Sequence, residues 1–364
     1  MNDVAELKQF IVVHAKAQGL KPEDYQPILD RIAGDTDGAA DSWAHVWRTA
    51  GAEREAAGDV LQANRRYVMA RFPYVDGPGR AAAQQSYLNA FERWSKTQKD
   101  LEPLEIGVGA DRIRCWATGL STTAPRPLVL IMGGIISVKE QWAPTLRLAN
   151  RLGLAAVVTE MPGVGENTLR YDADSPGMIT AVLDAVADRA DTARTTALAL
   201  SFSGHLALRC ALTDRRIRAV ITAGAPISAF FTDQTWQRQL PKVTLETLGH
   251  LANTPTEELG RALLPGMALT EDQLAALDIP VYYLASLRDE VIPPEDLALL
   301  RRTVRDLHVL ANDDVHGSPG HVLESRLWIV QSLMLLTGGR GVRPALLGAL
   351  RRLLRLRSSF RTQR

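Results

Sequence analysis

The segment Ala199-Leu200-Ser201-Phe202-Ser203-Gly204-His205 follows an apolar run and precedes a helical pattern. A serine on a sharp strand-to-helix turn needs small residues two positions to either side, because the strained backbone leaves no room for larger side chains. Ala199 and Ser203 are small enough, although glycines are usual there. Ser203 is a poorer candidate, because His205 would then occupy a position that must stay small. Ser201 is therefore the candidate nucleophile, and an ordinary strand-helix junction capped by Ser201 is the alternative.

Two later loops carry the partners that a serine nucleophile needs. Asp289 follows the predicted strand 281–284, from which a carboxylate can reach the imidazole that bridges to the serine. We prefer Asp289 to Glu290, because an apolar pair and two prolines after it fix the loop. His316 lies on the loop after the last predicted strand and is the candidate general base. His321 is predicted to begin the final helix, and the remaining histidines to be packed or surface side chains.

An earlier strand closes on Ile131-Met132-Gly133-Gly134-Ile135. Acyl transfer needs backbone N–H donors aimed at the developing oxyanion, one of them from the residue after the nucleophile, Phe202. The second donor is predicted to come from Gly134 or Ile135, since two glycines let the backbone approach closely. A turn with only a folding role is the alternative. The order Gly-Gly, Ser, Asp, His, each at a strand end, is the chain order of α/β-hydrolases.

The middle of the chain alternates apolar runs with helical patterns. The runs lie at 128–132, 154–159, 196–200, 219–222, 281–284 and 308–310, after a hairpin formed by 104–108 and 113–116. Buried strands that alternate with helices indicate a parallel sheet covered on both faces. We therefore predict an α/β-hydrolase fold, with a mostly parallel, doubly wound sheet, over residues 104–338. Residues 226–278 interrupt the alternation and are predicted to be an inserted helical segment.

The two ends of the chain have different patterns. Residues 1–103 carry helical spacing throughout and are predicted to form a helical N-terminal cap module. Its aromatic residues are predicted to line the substrate cavity, with packing inside the module's own core as the alternative; they are Trp43, Trp47, Tyr67, Phe72 and Trp94. Residues 339–364 contain eight arginines and no acid, which predicts a basic amphipathic helix or tail. An appended surface helix is favoured there over membrane or partner docking.

Composition limits the class of protein. The chain has 42 basic and 41 acidic side chains in 364 residues, which gives no general electrostatic reason to bind nucleic acid. Cys115 and Cys210 are far apart and outside any C-x-x-C pair, which favours a reducing compartment over a disulfide or a metal site. No basic leader and no run of roughly 18 apolar residues is present, so we expect a cytoplasmic protein. A small molecule is the expected partner, and no metal or organic cofactor is expected.

Three further segments resemble a known family. They are Ala63-Asn-Arg-Arg-Tyr67 with Phe72-Pro73, Gly133-Gly134 with Ser137, Lys139 and Glu140, and Met161-Pro-Gly-Val-Gly-Glu166. With the loops around Ser201, Asp289 and His316, the chain over residues 40–338 resembles the FrsA-like branch of α/β-hydrolases. That branch includes pseudooxynicotine-type carbon–carbon hydrolases and polyketide-shortening hydrolases. The resemblance implies that the helical module packs over the active site as a cap, often at a dimer interface, so a homodimer is possible.

Two departures from the family pattern bear on chemistry. Ile136 stands where relatives commonly carry an acidic residue, and the turn around Ser201 lacks its flanking glycines. The main prediction is a serine hydrolase that cleaves an acyl ester or C–C bond of a mid-sized, polyketide-like metabolite. One alternative is a hydrolase-fold lyase that eliminates a small carboxylic acid, such as acetate, from an acylated polyketide intermediate. A second is a non-catalytic binding protein on the same scaffold.

Overall fold

A computed structural model describes residues 2–338 and 342–361 of the chain. Met1 and, from the predicted tail, residues 339–341 and 362–364 lie outside the described residues. Within the described ranges, no helix combines the length and the apolar character needed to cross a membrane.

The N-terminal part of the chain is helical. Its helices are α1 (Val4–Ala17), α2 (Pro22–Arg31), α3 (Trp43–Ala56), α4 (Val60–Arg71) and α5 (Pro78–Ser95). Helix α1 begins at a cap: the side chain of Asp3 accepts the backbone N–H groups of Ala5 and Glu6. A carboxylate at this position satisfies N–H groups that have no acceptor within the helix.

The prediction that the aromatic residues of this module line the cavity is wrong. Trp43, Trp47, Tyr67 and Phe72 are buried inside the module. The indole N–H of Trp43 donates to the carbonyl oxygen of Met69 at 2.8 Å. Trp94 packs beside Phe91, with ring centroids 5.1 Å apart. The helices need a core of their own, and large aromatic side chains supply it, so none of the five remains for the cavity.

Strands and helices alternate from residue 102 onward. The helices up to the insertion are α6 (Lys139–Trp142), α7 (Leu146–Arg151), α8 (Gly177–Ala185) and α9 (Phe202–Ala211). The inserted segment holds α10 (Ala229–Thr232), α11 (Gln234–Gln237), α12 (Lys242–Ala252), α13 (Thr256–Ala262) and α14 (Glu271–Ala275). The final helices are α15 (Pro294–Thr303), α16 (Val322–Leu336) and α17 (Val342–Arg361). Short 3-10 helices lie at Ala143–Thr145 and Leu264–Met267.

An eight-stranded sheet forms the centre of the molecule. Its strands are β1 (Glu102–Val108), β2 (Asp111–Thr118), β3 (Pro127–Met132), β4 (Ala155–Thr159), β5 (Asp191–Ala199), β6 (Ile217–Ala223), β7 (Val281–Ser286) and β8 (Leu307–Asn312). They lie in the order β1-β2-β4-β3-β5-β6-β7-β8. β2 is antiparallel to both neighbours, and the other pairs are parallel. The predicted mostly parallel sheet is confirmed, and the carboxyl ends of its parallel strands meet at one edge.

Several strands begin earlier than their apolar runs indicate. β1 begins at Glu102 rather than Leu104, and β5 begins at Asp191 rather than Thr196. Strand pairing depends on backbone groups, so a polar or partly exposed stretch can join the ladder without an apolar pattern. Pro103 is tolerated because β1 is an edge strand of the sheet.

Candidate active site

The turn between β5 and α9 holds Ser201 in a strained conformation. Its backbone angles are φ 58° and ψ −129°, a region that residues other than glycine rarely adopt. Gly204 provides the close packing: a Cβ there would overlap Thr222 and lie 2.9 Å from the carbonyl oxygen of Ala199. The glycine therefore stands one position later than in the usual pattern and still relieves the turn.

Ser203, the alternative nucleophile, faces away from the cavity. It is fully buried, and its hydroxyl donates to the carbonyl oxygen of Leu200 at 2.9 Å, with that of Met132 at 3.2 Å. A hydroxyl held by backbone acceptors in the interior has a structural role. Ser201 is the member of the pair that opens onto the cavity.

The structure brings Ser201, His316 and Asp289 into one hydrogen-bonded chain. Ser201 Oγ lies 3.2 Å from His316 Nε2. His316 Nδ1 lies 2.9 and 3.0 Å from the two carboxylate oxygens of Asp289. Asp289 Oδ1 also accepts the backbone N–H groups of Val291 and Ile292, at 2.9 and 2.8 Å. The carboxylate is thus fixed by its own loop and holds the proton of the imidazole on Nδ1, which leaves Nε2 free to accept the serine proton.

His316 is positioned from two more sides. Its backbone N–H donates to Glu290 Oε2 at 2.9 Å, so Glu290 supports the loop while Asp289 binds the ring. A Cβ on Gly224, at the end of β6, would lie 2.8 Å from His316 Cε1, so the ring packs on bare backbone. Burial lowers the pKa of His316, but the charges of Asp289 and Glu290 outweigh burial and leave that pKa above its ordinary value.

The loop after β3 lies against the nucleophile. A Cβ on Gly134 would be 3.1 Å from Ser201 Cβ and 3.5 Å from its Oγ. Ile135 lines the same cavity, whereas Gly133 lies behind the loop against Ser137 and Trp142. The N–H of Phe202 is among the first of α9 and has no acceptor within that helix. Gly134 and Ile135 therefore lie beside Ser201, and Phe202 follows it at the start of α9.

A buried cluster of charged side chains around Lys139 stabilises the end of the loop after β3. Lys139 Nζ lies 3.0 Å from Glu140 Oε1, 3.2 Å from Glu160 Oε1 and 2.7 Å from Glu166 Oε2. Three carboxylates around one buried ammonium compensate its loss of hydration. From the helical module, Arg71 Nη1–H donates to the carbonyl oxygen of Ile136 at 3.2 Å. The loop is therefore anchored to both parts of the chain.

A cavity of about 160 Å³ opens beside Ser201. Its walls come from α1, from the loop after β3 and from α12; they include Phe10, Val13, His14, Ala17, Ile135, Ile136, Trp142, Val243, Thr244, Thr247 and Val291. Among the described residues that line it, none is Asp, Glu, Lys or Arg. Elsewhere in the described ranges, no group of three His, Cys, Asp or Glu side chains could hold a metal ion.

Sequence reasoning missed most of the side chains that line this cavity, His14 and Trp142 among them. His14 was predicted to be a packed or surface histidine, and it lines the cavity. Trp142 also lines it, and its indole N–H is buried beside Gly133 without an acceptor among the described residues. The helical spacing of Phe10, Val13, His14 and Ala17 was the available signal for α1. It shows that these residues share a face, but not what that face covers.

The strand order and the strained serine after β5 place the fold in the α/β-hydrolase class. Within it, the chain belongs to the family described as Esterase FrsA-like, whose model matches residues 21–259. The resemblance drawn from the sequence is confirmed. A curated relative, Esterase FrsA of Vibrio vulnificus (strain YJ016), is 24% identical over 307 residues, which cover 76% of this chain and 72% of the relative.

Two further proteins are similar to this chain. The 2,6-dihydropseudooxynicotine hydrolase of Paenarthrobacter nicotinovorans is 28% identical over 173 residues, which cover 46% of this chain and 45% of that protein. A solved structure of wild-type AbyA5 is 49% identical, with a TM-score of 0.92 over 97% of this chain and 100% of the other. The chain is therefore an α/β-hydrolase from a family of esterases and hydrolases.

Proposed function

We propose that the chain is a serine hydrolase with Ser201 as its nucleophile. His316 takes the hydroxyl proton through Nε2, and Asp289 orients the imidazole and stabilises its charged form. The N–H of Phe202 and the loop at Gly134 and Ile135 stabilise the oxyanion. The observation that carries the proposal is the hydrogen-bonded chain from Ser201 through His316 to Asp289, at a strained turn.

The substrate of this reaction is a neutral, mid-sized and largely apolar acyl compound, in the manner of a polyketide. The described lining of the cavity lacks acidic and basic side chains apart from histidine, so a charged group there would lose its hydration without compensation. Ile135, Ile136 and Val243 supply apolar surface around the serine. The bond cleaved is an acyl ester, in keeping with the name of the relative Esterase FrsA, or a C–C bond.

The pH dependence follows from the environment of His316. The base acts only as neutral imidazole, and the pKa of His316 is raised, so kcat/KM falls with decreasing pH from above the ordinary histidine pKa of about 6.5. Asp289→Asn removes a charge that raises this pKa and is expected to move the acid limb to lower pH. Measuring kcat/KM across the range from about pH 5 to about pH 9 checks both. An acid limb below the ordinary histidine value in the wild type contradicts the proposal.

A second candidate function is elimination. Ile136 lines the cavity beside the oxyanion loop, where relatives commonly carry an acid, and it makes this wall apolar. An eliminating enzyme needs a base over an acidic C–H and no water, so such a wall suits it. His316 would remove the proton, an alkene would form, and a small carboxylic acid would leave with both of its original oxygens.

Turnover in ¹⁸O-labelled water distinguishes the two reactions. The substrate comes from a mass-spectrometric screen of acylated, polyketide-like compounds. Hydrolysis places ¹⁸O in the released acid, because water attacks the acyl-enzyme. We expect that label to appear and to be absent with Ser201→Ala. An unlabelled acid together with a new alkene in the product would contradict hydrolysis and support elimination. No turnover of any compound would favour a binding protein.

A further inference from the structure

Helix α1 presents two faces to different surroundings. One face is buried in the core of the molecule and consists of Leu7, Ile11 and Ala15. The other lines the cavity that holds Ser201 and consists of Phe10, Val13, His14 and Ala17. Spacings of three and four residues place each set on one side of the helix. His14 is the polar member of the cavity-facing set, so the helical module brings an imidazole into the cavity.

His14 lacks the hydrogen bonds of a structural histidine. In the described part of the chain, neither ring nitrogen of His14 hydrogen-bonds to another residue, and the side chain is half-buried at the cavity wall. Its ring lies beside that of Phe72, with centroids 5.8 Å apart. His205, by comparison, is fully buried and held by the protein through one nitrogen: its Nε2 lies 2.7 Å from the carbonyl oxygen of Met267, while its Nδ1 has no partner among the described residues. Because His14 lines the cavity and its ring is not engaged by the described part of the chain, a polar group of a molecule bound in the cavity can become its hydrogen-bond partner.

The charge state of His14 restricts that partner. Burial, with a smaller contribution from His316, lowers the pKa of His14 to about 4. At neutral pH the ring is therefore uncharged, with one nitrogen as donor and the other as acceptor. It brings no positive charge to pair with an anion, and it does not oppose the positive charge that His316 gains on taking the serine proton. The matching group is a neutral oxygen.

We propose that His14 is a substrate-binding residue that hydrogen-bonds to a carbonyl or hydroxyl oxygen on the acyl chain of the substrate. This inference rests on the proposed function of the same cavity and adds the substrate class. Phe10, Val13 and Ala17 contact the apolar part of the chain, while His14 selects chains that carry oxygen at the matching position. Loss of a buried partner for a neutral hydrogen bond changes selectivity by roughly tenfold or more.

The test compares esters that differ in one oxygen. The probes are the 4-nitrophenyl esters of hexanoic, 5-oxohexanoic and 6-hydroxyhexanoic acid, assayed with the wild type, His14→Phe and His14→Gln. We expect the wild type to prefer an oxygenated ester and His14→Phe to lose about tenfold of that preference in kcat/KM. His14→Gln, which keeps a donor and an acceptor, should retain part of it. Val13→Ala is the matched control, since it alters the same wall and should change the three esters alike.

A binding measurement separates this inference from the catalytic proposal. The Kd of each ester is measured by titration into Ser201→Ala and into the double variant Ser201→Ala, His14→Phe, so that turnover plays no part. A preference for an oxygenated ester that disappears with His14→Phe supports the role of His14. This holds even if the wild type hydrolyses none of the esters, a result that would contradict the proposed hydrolysis. No preference in the His14-containing proteins, or equal losses on all three esters, would overturn the role of His14.

Discussion

Ser201→Ala is expected to lower kcat at least about 10³-fold and to leave the fold intact. The hydroxyl contacts His316 Nε2 at 3.2 Å and makes no other side-chain hydrogen bond in the described part of the chain. Alanine keeps the Cβ, so the packing of the turn at φ 58° is unchanged. Turnover of an activated ester measures the loss, and an unchanged thermal unfolding curve shows that the variant is folded.

Ser203→Ala is the matched control for this prediction. Its hydroxyl donates to backbone carbonyl oxygens, so its removal is expected to cost about 1 kcal/mol of stability and to leave most of the activity. If Ser203→Ala loses turnover while Ser201→Ala keeps it, the turn has been assigned in the wrong register. If both variants stay active, a covalent serine mechanism is wrong.

Asp289→Asn is expected to lower kcat by roughly 10³- to 10⁴-fold. The carboxylate accepts from His316 Nδ1 at 2.9 Å and from the backbone of Val291 and Ile292. An amide in its place can donate to Nδ1, which favours the tautomer with the proton on Nε2. That tautomer cannot take the serine proton, although the geometry is nearly unchanged. Measurements of kcat with the activated ester check the loss.

Glu290→Gln tests the charge of Glu290 separately from the hydrogen bond that Asp289 makes to the ring of His316. Glu290 accepts the backbone N–H of His316, and the amide oxygen of glutamine can still accept it. The variant is expected to keep kcat within about tenfold and to shift the acid limb of kcat/KM to lower pH, because one charge that raises the pKa of His316 is gone. Equal losses of kcat in Glu290→Gln and Asp289→Asn would contradict the separate roles of the two acids.

The sequence was sufficient for the features that depend on local rules. Each of these features follows a buried strand: the small residues around Ser201, the glycines after β3 and the polar residues after β7 and β8. Parallel topology brings the carboxyl ends of those strands to one edge of the sheet. The mostly parallel sheet and the family are confirmed. The roles of Ser201, His316 and Asp289 stay predictions, now supported by their mutual distances.

The features that were missed depend on tertiary packing. The pattern of Trp43 and Trp47 is the same whether they face a cavity or a core, and the module buries both. His14 was predicted to be packed or exposed and instead lines the cavity, because its face of α1 lies over Ser201. Gly224 gave no signal in the sequence, although a side chain there would meet the ring of His316. In each case the deciding contact is with a residue far away along the chain.

Covalent labelling with a fluorophosphonate probe tests whether Ser201 is the nucleophile. Arg194 and Arg209 bound a tryptic peptide that carries both Ser201 and Ser203, so fragment ions must place the adduct. We expect an adduct on Ser201 in the wild type, none in Ser201→Ala, and much slower labelling in His316→Ala, where the base is missing. An adduct on Ser203, or no adduct on a folded wild-type protein, would contradict this role of Ser201.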